Sequence, residues 1–209
     1  SNIPVPIFPL TNLGISSKIN ISDALTLQTA LFDGCPTGFE NNKYNTNWRL
    51  DGKDGAFAIS EIQFTKSFKD LSGTYKAGSY YHTGHVQVNE VGQEESVFKR
   101  NYGFYAIADQ MVWQSKGTGK SMSVFGQFAL SPRHINNLHY YFGGGLSFTG
   151  VINKIDNTLG LAVAHSRFHT PSVVNETAIE LFYRIQINQN ISIQPDFQYI
   201  INPAGTGGT

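Results

Sequence analysis

Two rows of hydrogen-bonding side chains sit close together near the C-terminal end: Glu176, Glu180, Arg184 and Gln186, then Gln194, Asp196 and Gln198. Within each row the spacings are two or four, so in an extended chain all members point to one side. Carboxylates accept hydrogen bonds, guanidinium groups donate them and amides do both. Such a wall holds water and hydrogen-bonds neutral, hydroxyl-rich molecules without forming a covalent bond. Phe182 shares the parity of the first row and adds a flat ring for stacking on C–H-rich surfaces. Adjacent strands at about 4.8 Å bring the two rows together, so Arg184 is expected to pair with a carboxylate of its neighbour.

The other parity is apolar. Thr177, Ile179, Leu181, Tyr183, Ile185 and Ile187 alternate with the first row. Ile191, Ile193, Pro195, Phe197, Tyr199 and Ile201 alternate with the second, across an Asn-Gln-Asn link. A period of two sustained for ten or more residues predicts a long strand with one apolar and one wet face. Ordinary globular strands run nearer five or six residues. Paired strands of this kind, apolar outside and polar inside, suit the wall of an outer-membrane barrel.

The composition agrees with that reading. Of 209 residues 13% are aromatic and only 14% charged, against roughly a quarter charged in soluble domains. Hydrophobic residues make up 40%, yet no apolar run approaches the roughly 20 residues of a spanning helix. The formal net charge is zero, which gives no support to nucleic-acid binding by a basic surface. The single Cys35 excludes an intramolecular disulfide and a multi-cysteine metal site. The opening SNIPVPIFPL lacks the basic and apolar regions of a signal peptide, and the far end stops at loop-like NPAGTGGT. Both suggest a chain processed or truncated relative to a whole barrel.

Turn signals predict ten strands, near 12–20, 24–33, 55–66, 73–87, 101–115, 121–132, 138–152, 157–170, 176–188 and 190–202. Ile21–Asp23, Ser67–Ser72, Lys116–Lys120, Asn153–Asp156 and Gln189 read as compact turns. Gly34–Asp54 and Val88–Arg100 read as longer links, with Arg133–Asn137 and Pro171–Asn175 completing that set. Short turns at one end and longer loops at the other is the asymmetry of outer-membrane barrels. Two faces stay ambiguous at this level. Asp109 shares the parity of Ile107 and Met111, and His165 and Arg167 share that of Leu159, Leu161 and Val163. The second pair implies either an outer rim or a bulge. Tyr and Phe groups at 80–81, 102–105 and 140–142 are expected to form interface girdles.

Other apparent motifs fail. Gly119-Lys120-Ser121 ends like a phosphate-binding loop, but its initial Gly is missing and a strand follows. His165 and His169 lie about 13 Å apart on a strand, too far to share a metal. Sequons at Asn20, Asn175 and Asn190 fall in or beside strands. No Ser/His/Asp set has a spacing that suggests a nucleophile, so no enzyme activity and no cofactor are expected.

Several runs together resemble the carbohydrate-selective porins of Gram-negative bacteria, the OprB-type family. They include FPLTNLGISSKI (8–19), YKAGSYYHTG (75–84), YGFYAIADQMVWQ (102–114) and YYFGGGLSFTGVI (140–152). The longest is ETAIELFYRIQINQNISIQPDFQYIINPAG (176–205). The resemblance implies the C-terminal portion of a sixteen-stranded barrel, lacking several earlier strands and the closing strand. It implies an outer-membrane location, contact with outer-membrane lipid, and passive diffusion of mono- or oligosaccharides. With strand parity it adds Glu61, Lys76, His82 and Asp109 to the expected pore lining. Where family members often carry Arg, this chain has Gln127. Family porins are monomers or homotrimers, and the residues do not choose between them. Two alternatives remain at this level: a general or ion-selective porin without a sugar site, and a non-transporting barrel with a filled lumen.

Overall fold

A computed structural model describes residues 12–34, 44, 46, 48, 52–88, 96–151, 157–170 and 173–203. Eleven strands make one antiparallel sheet: β1 (Gly14–Asn20), β2 (Leu25–Asp33), β3 (Ala56–Phe68), β4 (Leu71–Val88), β5 (Ser96–Gln114), β6 (Ser121–Leu130), β7 (Leu138–Thr149), β8 (Thr158–Thr170), β9 (Val173–Asn188), β10 (Ile191–Ile193) and β11 (Asp196–Ile201). Each strand pairs with the next up to β10, and β11 also pairs with β9. The result is an open meander in which β1 and β10–β11 form the two edges.

Register explains why the sequence alternates. Val124, Leu146, Leu161 and Leu181 pair in turn across β6–β9, and Leu181 pairs with Phe197 of β11. All five are exposed. Cross-strand partners share a face, so this row and its neighbours coat one side of the sheet with apolar groups. Among the described residues the buried hydrophobic ones are just Ile135 and Leu138. A water-soluble sheet buries such a face against another layer. Here the apolar side is left bare over the whole width of the sheet, as a lipid-facing wall requires.

Local chemistry sets the ends. Lys69 and Asp70 have φ of 52° and 66°, the left-handed pair of a two-residue hairpin turn. The strands therefore run through most of the 67–72 stretch expected to be a turn. Asn188 Oδ1 accepts the backbone N–H groups of Asn190 (2.9 Å) and Ile191 (3.0 Å), closing the β9–β10 turn. β4 and β5 reach 18 and 19 residues and absorb much of the expected 88–100 link; residues 89–95 lie outside the described residues, as do 152–156 and most of 34–51. β9 begins at Val173, which shortens the expected 171–175 link.

One expected strand is broken. Ile193 pairs with Ile185 and Asp196 with Phe182, so β10 and β11 continue in one register. Between them Pro195 accepts a bond from Tyr183 N (3.1 Å) but has no N–H to return.

The structure also resolves the two ambiguous faces. Asp109 pairs with Thr74 and Phe125, which places it on the polar face with Ile107 and Met111. An irregularity between Met111 and Trp113 then turns Trp113 to the apolar side, where it stacks on Phe148 at 5.9 Å. His165 and Arg167 pair with Phe142 and Tyr140 and stay on the apolar face, with no switch before Arg167. The bulge reading thus fails for this pair: His165 Nδ1 lies 2.8 Å from Thr177 Oγ1, and its ring is 6.0 Å from Tyr140.

Candidate functional site

Counting parity through the pairings collects the opposite face: Lys18, Gln28, Glu61, Gln63, Lys76, Tyr105, Asp109, Gln127, Glu180, Phe182, Arg184, Asp196 and Gln198. The sequence-predicted residues that lie in strands share this face. The structure gathers them into two groups and leaves some apart.

The first group is on β3–β5. Glu61 accepts a hydrogen bond from Tyr105 Oη at 2.7 Å and pairs with Lys76 Nζ at 3.5 Å. Among the described residues this is the ion pair of the polar face, and Arg184, expected to pair with a carboxylate on the neighbouring strand, has none. Tyr105 pairs directly with Gly78, and a Cβ on Gly78 would lie 2.3 Å from its ring. The ring therefore occupies the space of the missing side chain.

The same device recurs. Tyr80 faces Gly103, Phe125 faces Gly145 and Phe182 faces Gly160, each with a ring carbon within 2.7 Å of the absent Cβ. Glycine in a strand marks just such close approaches. Inward rings are thereby laid against the wall instead of across the lumen.

The second group is on β9–β11. Gln198 Nε2 donates to Glu180 Oε2 at 2.8 Å, and Asp196 stands opposite Phe182. Arg184 and Gln186 line an open hollow near the β9–β10 turn. Gln186 spends its amide on Asn188 O (2.6 Å) and Ile191 O (3.4 Å). Gln194 lies in the break beside Pro195, outside any strand. Glu176 pairs with Ser166 in register.

His82 is placed apart from both groups. Its Nε2 lies 2.7 Å from Gly34 O while Gly84 N donates to its Nδ1 at 3.1 Å. It fastens β4 to the start of the 34–55 link.

Three aromatic residues expected at interface girdles belong to this polar side. Tyr81, Tyr102, Phe104, Tyr140 and Phe142 do lie on the apolar face, but Tyr80, Tyr105 and Tyr141 point the other way. With Phe57, Ile59 and Ile107 they line a hollow of about 280 Å³. Its far edge is the 131–139 segment, held by Ser131 Oγ on Leu138 O (2.6 Å) and by a reciprocal amide pair between Asn136 and Asn101 (2.9 and 3.0 Å). Sequence reasoning missed this cluster. The signal was there in the parity of Tyr105 with Asp109, and in the glycines that register sets opposite the rings.

An open antiparallel sheet with a bare apolar face and a polar face of Glu, Asp, Arg, Lys and Gln is a piece of barrel wall. Residues 4–208 match the family described as carbohydrate-selective porin, OprB family. The chain belongs to that family. No curated protein sequence matches it. Two solved structures do, both of Pseudomonas putida OprB. The high-pH structure aligns with a TM-score of 0.83 at 21% identity, over 95% of this chain and 56% of that one. The low-pH structure aligns with a TM-score of 0.64 at 20% identity, over 90% and 50%. The chain thus spans about half the length of the porin it matches, and the fold is that of an outer-membrane β-barrel.

Proposed function

We propose that this chain forms part of the wall of an outer-membrane porin through which mono- and oligosaccharides diffuse passively. The observation that carries the reading is the division of the sheet: the exposed apolar row across β6–β9 and β11 faces one side, and the carboxylates, Lys76 and Arg184, with the inward rings, face the other. The lipid-facing side needs no partner layer. The lumen side replaces part of the hydration of a sugar's hydroxyls, with Glu61, Lys76, Asp109, Glu180, Arg184, Asp196 and Gln198 as the contacting groups. His82 and Gln186 serve the wall itself, since their polar atoms already bond the backbone. Weak contacts raise occupancy without trapping the solute, and the concentration gradient drives flux. The reading needs no catalysis.

The porin that carries this chain, reconstituted in liposomes, is expected to admit neutral sugars and swell the vesicles at rates that fall with sugar size. Vesicles that admit ions while excluding every neutral sugar would overturn the reading. Vesicles permeable to neither would point to a filled barrel.

A further inference from the structure

We propose that Tyr105 and the two hollows that meet at it form a stacking site for a single pyranose ring, an inference that rests on the wall being a sugar channel. The apolar hollow of about 280 Å³ is lined by Phe57, Ile59, Tyr80, Tyr105, Ile107 and Tyr141. A second hollow of about 270 Å³ shares Ile59 and Tyr105 and is lined on its other side by Ser16, Lys18, Gln28 and Glu61. One aromatic ring thus separates an apolar surface from a polar one.

That arrangement matches the chemistry of a pyranose. The ring has C–H-rich faces and a belt of hydroxyls around its edge. The C–H face fits against Tyr105 and the aliphatic side chains of Ile59 and Ile107. The hydroxyls then meet the Glu61 carboxylate, the Lys18 ammonium and the Gln28 amide. A purely apolar solute would strip water from Glu61 and Lys18 with nothing in return, which is costly. A small inorganic ion has no C–H face to lay on the aromatic floor.

Tyr105 is also fixed in advance. Gly78 leaves room for the ring to lie along the wall, and the 2.7 Å hydrogen bond to Glu61 sets its rotation, while Lys76 at 3.5 Å holds the carboxylate. Ordering paid before the solute arrives does not reduce its affinity. The site lies on strands, not on a loop, which keeps its geometry steady.

The test uses single channels of the whole porin, with D-glucose and D-sorbitol titrated against the ion current. Sorbitol carries the same kinds of hydroxyl but has no rigid C–H face. Tyr105→Phe and Tyr105→Leu both remove the hydroxyl, so their difference isolates the ring. The half-blocking concentration of glucose is expected to be roughly 3- to 10-fold higher in the Leu variant than in the Phe variant, the strength of an aromatic stack. For sorbitol the two variants are expected to agree within about twofold. Ala129→Phe fills the apolar hollow and is expected to weaken glucose block in the same way, which keeps the test open if the Leu variant fails to insert. Equal glucose block in the Phe and Leu variants, equal loss for sorbitol, or full glucose block in Ala129→Phe would each overturn the stacking site alone. A wild-type channel indifferent to every sugar would overturn the sugar-channel reading and this site with it.

Discussion

The polar face is built in two ways. On β3–β6 it is tied down: Glu61 is held by both Lys76 and Tyr105, and Tyr105, Tyr80 and Phe125 each lie against a glycine. On β9–β11, at the edge of the described sheet, it is looser: Glu180 accepts one bond from Gln198, and Arg184 has no ion pair among the described residues. The first region has the rigidity of a shaped site, the second that of a wetted wall. One alternating pattern produces both. Phe182 on β9 also lies against a glycine, Gly160, so the difference comes from the charged groups: Glu61 has a lysine and a tyrosine on the strands beside it, whereas Glu180 has an amide.

The comparison can be broken most forcefully by exchanging faces. Leu181→Arg sets a charge on the lipid side and is expected to destabilise the folded porin by about 2–4 kcal/mol. Glu180→Arg, one residue away on the lumen side, is expected to cost far less. Denaturant unfolding in lipid vesicles reads both, and equal losses would contradict the assignment of faces.

Glycine substitutions come next. Gly78→Val drives a Cβ into the Tyr105 ring, 2.3 Å away, and is expected to cost roughly 1–3 kcal/mol as an overpacking change. Gly126, on the lipid side, has nothing within 4 Å of the same point, so Gly126→Ala should stay within about 0.5 kcal/mol of wild type. The two measured by the same unfolding assay would show whether the inward rings really depend on their glycines.

Smaller effects separate the two regions by function. Glu180→Gln removes an acceptor from the open wall and is expected to raise the half-blocking sugar concentration about 2- to 5-fold. Lys76→Met leaves Glu61 without its cation, and its expected signature is electrical: a shift of reversal potential toward cation preference under a salt gradient, with a stability change of about 1 kcal/mol or less for a partly exposed pair.

Much of this was legible from alternation alone. The β9 rows, the apolar face and the family likeness all follow from residues two apart, because a strand repeats with that period whatever surrounds it. Periodicity could not say where strands lose register. The turn at Lys69–Asp70 hides in an apparently longer link, and Pro195 interrupts a run whose pattern continues unbroken. Nor could it say what faces what. Tyr80, Tyr105 and Tyr141 looked like girdle residues because aromatic clusters at strand ends usually are. Their inward direction follows from register with Gly78, Gly103 and Ser166, and pairing between strands is a long-range property. The expected Arg184 pair failed for the same reason: closeness of two rows does not fix which side chains meet.

The most direct measurement is the current through single channels of the whole porin as a neutral sugar is titrated against it. Saturable, concentration-dependent block, weakened by Glu180→Gln, is the result this account predicts. Open channels whose current falls no more than solution viscosity demands would contradict it.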